Sequence, residues 1–144
     1  MDRNLGIIWT GPVFNHSGYA EELRSYIVKL SQSYDIRLVS GAPADDSYLR
    51  SMPRRTQLQF VKLMCNPIKA RNVIAILHIP AYAFRKFSDV AYHIGRTMFE
   101  TDTLPVDWIK KCNLMDEIWV PTSFNAHTFR SAGVKKPLFV IPPG

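Results

Sequence analysis

Cysteine is scarce in this 144-residue chain: Cys65 and Cys112 are the only two, with no C-x-x-C spacing and no histidine at metal-like intervals. That composition excludes a disulfide scaffold and argues against a zinc site, so no metal is expected and both residues are read as reduced thiols, Cys112 packed on a helix face. Long apolar runs are missing as well. No stretch approaches the roughly 20 residues that cross a bilayer, and the opening MDRNLGIIWTGP lacks the charged, apolar and small-residue order of a secretory leader. The expectation is a mature, soluble, cytoplasmic protein. Also absent are internal repeats, low-complexity tracts and linker-like stretches, which leaves a single domain over residues 1–144.

Several sequence motifs are missing too. No G-x-G-x-x-G or G-x-x-x-x-G-K-[ST] spacing marks a dinucleotide site or a P-loop. No G-x-S-x-G elbow and no Ser, His and Asp set at strand ends supports a hydrolase. Acidic residues are in deficit, with 12 Asp and Glu against 18 Lys and Arg and a net charge of +6. This balance suits an anionic partner such as a nucleotide or an acidic membrane surface. The basic residues are not interleaved with aromatics and occupy no recognition helix, so no nucleic acid is expected. Within RSMPRRTQLQFVKLMCNPIKAR they hint at a helix in peripheral contact with a membrane, the alternative being a solvated helix.

What is present is an alternation of strands and helices. LGIIWTG, Leu5 to Gly11, is a nearly continuous apolar run closed by Gly and Pro, as expected for a strand buried on both faces. GYAEELRSYIVKLSQ follows with Leu23, Tyr26, Ile27 and Leu30 on one helical stripe, and Ile36 to Ser40 makes a second short strand. Tyr48 to Lys69 reads as helix broken at Pro53 and Pro67. Asn72 to Pro80 is the longest β-rich run and predicts a central strand, and the segment after it, YAFRKFSDV, has no clear assignment. YHIGRT, EIWVPT and LFVIPP are further strand candidates. Between them lie a helix from about Pro105 to Met115 and a capped helix in SFNAHTFRSAG, with Thr122 or Ser123 at its start and Gly133 as terminator. The fold class is α/β, a Rossmann-like three-layer domain with a mostly parallel sheet.

Chemistry in such a sheet gathers at the carboxyl ends of the strands. The loop GPVFNHSGYAEE brings Gly11, His16, Ser17, Gly18 and Tyr19 to a helix start, where backbone can approach a ligand and free amides attract phosphate; a bland turn is the alternative. His78, near the end of the central strand, either meets a substrate hydroxyl or satisfies a backbone carbonyl. His93 reads as structural. Arg96, Glu100, Thr101 and Asp102 cluster after YHIGRT, where they orient hydroxyls, supply acid and base groups, or cap the following helix. Glu100 is the one that capping explains least.

The segment MFETDTLPVDWIKKCNLMDEIWVPTSFNAHTFRSAGV closely resembles the acceptor-side domain of family 4 retaining glycosyltransferases, enzymes of the GT-B fold, and GPVFNHSGYAEE resembles their first loop. The likeness spans most of the chain and weakens between about Asp45 and Lys69. It implies that this is the N-terminal, acceptor-binding one of two Rossmann-like domains that face across a cleft. Its C-terminal, donor-binding partner is absent here, and the chain stops at IPPG, where such chains pass into that second half. The resemblance implies transfer of a sugar from a nucleotide-sugar to the hydroxyl of a saccharide or glycolipid. The nucleotide-sugar serves as donor substrate; no prosthetic group is implied and a metal is not required. His78 and Glu100 then take the catalytic side, Gly11, Ser17 and Gly18 line the cleft near the diphosphate, and Ser123 and Asn125 form its wall. The isolated chain is expected to be inactive. The alternative is a stand-alone binding or regulatory module that partners a separate catalytic subunit.

Overall fold

The computed structural model describes residues 4–143. Six strands, β1 (Leu5–Gly11), β2 (Asp35–Ser40), β3 (Asn72–His78), β4 (Tyr92–Arg96), β5 (Glu117–Val120) and β6 (Leu138–Val140), form one parallel sheet in the order β2-β1-β3-β4-β5-β6. Five helices accompany them: α1 (Gly18–Leu30), α2 (Asp46–Ser51), α3 (Arg54–Met64), α4 (Val106–Cys112) and α5 (Ser123–Ala132). The Rossmann-like α/β class expected from the alternation is therefore what the chain adopts. Strands covered on both faces need near-continuous apolar sequence, and β1 and β3 have it. No described helix is long and apolar enough to cross a membrane.

The chain divides into two compact units, residues 4–74 and 75–143. In the first, β1 and β2 pair in parallel from Gly6 opposite Asp35 to Gly11 opposite Ser40. Ile7, Trp9, Leu23, Ile27, Ile36, Leu38 and Phe60 supply its buried core. The helical stretch divides at Pro53, which lacks an amide hydrogen and is extended (φ −55°, ψ 136°), so α2 stops at Ser51 and α3 restarts at Arg54. The loop after α3 is tied back to the start of β2 by Asp35. Its carboxylate accepts from Asn66 Nδ2 (2.8 Å) and from the backbone amides of Lys69 (2.7 Å) and Ala70 (3.1 Å).

In the second unit β4, β5 and β6 continue in parallel, around Ile94, Met115, Ile118, Val120, Phe129 and Val134. Thr122 caps α5, its hydroxyl accepting from Asn125 N, and Gly133 ends the helix at φ 115°, a left-handed conformation that glycine adopts without Cβ strain. Cys112 is fully buried on α4, and desolvation pushes its thiol up to about 12; Cys65 is exposed.

The crossover from β3 to β4, which sequence patterning leaves unassigned, holds only a short 3₁₀ turn at Ala81–Ala83. Two contacts replace the missing helix. Phe84 is wholly buried and lies on Gly95, where an added Cβ would overlap its ring. His93, 1% exposed, accepts from Phe87 N at Nε2 (2.8 Å) and stacks on the Phe87 ring at 6.0 Å, while its own backbone amide donates to Asp116 Oδ2 (2.7 Å). Burial holds this imidazole below the usual histidine range, which keeps the Nε2 lone pair available.

Gly95→Ala is therefore expected to lower stability by about 1–3 kcal/mol, the typical cost of overpacking, read as a lower urea midpoint at unchanged slope. Combining it with Phe84→Leu should cost less than the sum of the two single changes, because the two sites share one contact. Strict additivity would show that the close approach is not what requires glycine.

Candidate functional site

In the first unit, β1 ends at Gly11, whose carbonyl accepts from Gly41 N (2.8 Å). Thr10, just before it, is buried and its hydroxyl has no hydrogen-bond partner among the described residues. The loop that follows is held in shape by its own polar groups. Asn15 Oδ1 accepts from both the amide (2.9 Å) and the hydroxyl (2.7 Å) of Ser17, and Ser17 Oγ in turn caps α1 by accepting from Ala20 N (3.2 Å). Arg24, on the second turn of α1, reaches back to the carbonyls of Val13 (2.7 Å) and Asn15 (3.0 Å). Its guanidinium lies 4.5 Å from the centre of the Tyr48 ring, which also meets the His16 ring at 4.7 Å and 89°. Phe14 O accepts from Asp45 N (2.7 Å). Hydrogen bonds from Ser47 and from the Tyr48 amide hold the Asp45 carboxyl below its usual range, so it stays ionised as the cap of α2.

This loop leads into a helix start that is open to solvent. His16, Ser17 and Gly18 are exposed, Tyr19 is half-buried, and a Cβ added at Gly18 would meet nothing within 4 Å. The amino end of a 13-residue helix with free space above it favours an anionic oxygen. Chain packing does not demand the glycine at 18.

In the second unit His78 is the last residue of β3 and fully buried. Arg96 ends β4, 1% exposed, with Nη1 donating to Ile141 O (2.6 Å), so this guanidinium ties down the segment after β6. Glu100, Thr101 and Asp102 follow it and are all exposed. Thr101 Oγ1 donates to Thr103 O (3.2 Å) and Asp102 Oδ1 accepts from Thr103 Oγ1 (3.3 Å), which makes a small self-contained turn. Glu100 has no hydrogen-bond or ion partner among the described residues. Ser123 is exposed at the start of α5, left free of capping by Thr122. Asn125 is buried and uses both ends of its amide: Oδ1 accepts from Phe99 N (2.9 Å) and Nδ2 donates to Thr122 Oγ1 (2.9 Å).

The structure thus groups Gly11, His16, Ser17, Gly18 and Tyr19 at one helix start. Separately, it joins the turn carrying Glu100 to the start of α5 through Asn125. Arg24 and Tyr48 escape sequence inspection because the acceptors of Arg24 are backbone carbonyls, which leave no trace in residue identity. Among the described residues no group of three or more His, Cys, Asp and Glu side chains stands together as a metal centre would need.

If Arg24 shapes the first loop, Arg24→Met, which keeps the aliphatic stem and removes the donors, should speed amide exchange at Asn15–Tyr19 by roughly tenfold or more. Global stability should fall by only about 1–3 kcal/mol. Unchanged exchange in that segment would assign its order to other contacts. No family model, curated protein or solved structure matches this chain.

Proposed function

We propose that this chain is the acceptor side of a retaining glycosyltransferase, which moves a sugar from a nucleotide-sugar to an acceptor hydroxyl together with a donor-binding domain. The observation that carries this reading is the Phe99 N to Asn125 Oδ1 hydrogen bond. It links the M-F-E-T turn to the V-P-T-S-F-N turn, 26 residues apart, so the two segments with the strongest family likeness are physically one structure. Glu100 follows Phe99 as an exposed carboxylate with no partner among the described residues, available as an acid or base or as a hydroxyl acceptor. On this reading the open start of α1 receives diphosphate oxygens of the donor. The donor is a substrate, and no prosthetic group is invoked.

The face of α3 supports a place for a lipid-linked acceptor. Leu58 and Val61 are 57% and 44% exposed, Arg54, Arg55 and Lys62 flank them, and no Asp or Glu occurs between Asp46 and Asp89. Exposed apolar side chains among cations suit an anionic membrane surface. A second reading, a binding module for a partner chain, is favoured by edge strand β6, where Phe139 is 48% and Val140 42% exposed.

The chain alone should show no transfer from UDP- or GDP-sugars, and transfer should appear when it is joined to a donor-binding domain. Glu100→Gln in that two-domain protein should then lower kcat by about 100-fold or more without shifting Tm, since Glu100 is exposed and has no partner among the described residues. Turnover by the isolated chain near 1 s⁻¹, in the ordinary enzyme range, would refute the division of labour. Tight nucleotide binding by it would instead indicate an α/β enzyme of another class. Vesicles rich in anionic lipid should retain the chain at low salt and release it in Arg54→Gln/Arg55→Gln; equal retention by neutral vesicles would remove the electrostatic part.

A further inference from the structure

The second unit uses the same three residue types twice, with opposite outcomes. At the starts of β4 and β5, Tyr92 O–H donates to Glu117 Oε2 and Trp119 Nε1 donates to Glu117 Oε1 (2.6 Å), so every polar tip has a partner. That hydrogen bond, with burial behind it, pushes the Tyr92 hydroxyl up to about 12. The other set follows the carboxyl ends of β3 and β4: Tyr82 on the 3₁₀ turn, Trp108 on α4, and Glu100 directly after Phe99. The Tyr82 and Trp108 rings are 6.3 Å apart at 59°, and Phe99 meets Trp108 edge-on at 4.6 Å. Here the Tyr82 hydroxyl, the Trp108 indole N–H and the Glu100 carboxylate have no partner among the described residues, and Tyr82 is 59% exposed.

We propose that Tyr82, Trp108 and Glu100 form a platform for a pyranoside ring, the acceptor sugar of the transfer reaction proposed above, on which reading this inference rests. A pyranose presents a face of C–H groups and a rim of hydroxyls. The face suits aromatic rings with large apolar area, and the rim suits their polar tips. Tyr and Trp have few rotatable bonds and lose little entropy on binding. Phe99 braces Trp108, and its own backbone is fixed by Asn125. A purely apolar ligand would leave three polar groups desolvated and unpaired. An anionic one would meet Glu100 and the exposed Asp102.

Amide and indole spectra of the 144-residue chain, recorded while methyl glucoside, methyl galactoside and methyl mannoside are titrated in turn, test this directly. Trp108→Phe identifies the Trp108 indole signal. That signal should move saturably with at least one glycoside while those of Trp9 and Trp119 stay fixed. The apparent affinity should fall about tenfold in Tyr82→Ala, the scale of one lost aromatic contact, and fall less in Tyr82→Phe. Three glycosides without effect would overturn the proposal, as would an equal response to cyclohexanol, which denotes an apolar patch. Broadening that depends on protein concentration alone would also overturn it, by making the face a contact between copies. Failure of the platform and failure of the enzyme reading separate cleanly. Transfer that proceeds with unchanged KM in Tyr82→Ala removes the platform only, whereas a Trp108 response without transfer leaves a sugar-binding domain and removes the enzyme.

Discussion

Parallel strands cannot be joined by a tight turn, so each connection in this protein must leave a strand at its carboxyl end and travel back to the start of the next. Most of the architecture follows from that constraint. α1, α4 and α5 each provide one return, and α2 with α3 provide another. The return from β3 to β4 is made without a helix, and the chain compensates with side chains. Phe84 fills the space left by the absent Cβ of Gly95, and the neutral His93 ring holds Phe87 by its amide. A histidine within a strand is here a fastener, and its burial and its depressed pKa are two aspects of one role.

The same constraint places loops at the strand ends, and satisfaction of polar groups separates scaffold from surface available to ligands. Arg24, Asn15, Asp35, Arg96 and Asn125 all direct charge or amide groups at the chain's own backbone. Buried polar groups that find partners define a conformation, and those without partners carry a cost. The tips of Tyr82, Trp108, Glu100 and Ser123 differ from these in having no partner among the described residues and, except for the half-buried Trp108, in being exposed to solvent. The Tyr92, Glu117 and Trp119 cluster shows that this unit can close such a trio on itself.

Strands and helices were legible from sequence wherever one local rule decided them. Continuous apolar runs marked β1 and β3, the Leu23 and Ile27 stripe marked α1, and Gly133 marked the end of α5. Pro53 correctly divided the helical stretch. The unassigned crossover was illegible because its order comes from contacts with β4, not from periodicity. For the candidate site, residue identity pointed to positions and could not assign tasks. Residue identity does not reveal that the Arg96 guanidinium donates to the carbonyl of Ile141, nor that the Asn125 amide joins Phe99 to Thr122. Tyr82 lies in the segment without an assignment and Trp108 in one read as helix, and identity alone does not separate a ring at the surface from one in the core.

Charge placement bears on which partner meets which surface. The excess of cations is not gathered at the strand-end residues of the second unit, where Glu100 and Asp102 are the exposed charged groups and Arg96 is buried. It is concentrated instead in the acid-free stretch containing α3, whose cations have no acidic neighbour in sequence to neutralise them. An anionic surface is attracted over a Debye length of about 8 Å at physiological salt, and such attraction needs no shaped pocket. A neutral polyol is recognised only at contact, by ring faces and hydrogen-bonding tips. The net charge of +6 therefore says nothing against a neutral sugar at Tyr82 and Trp108, because the two chemistries belong to different residues and different ranges of force.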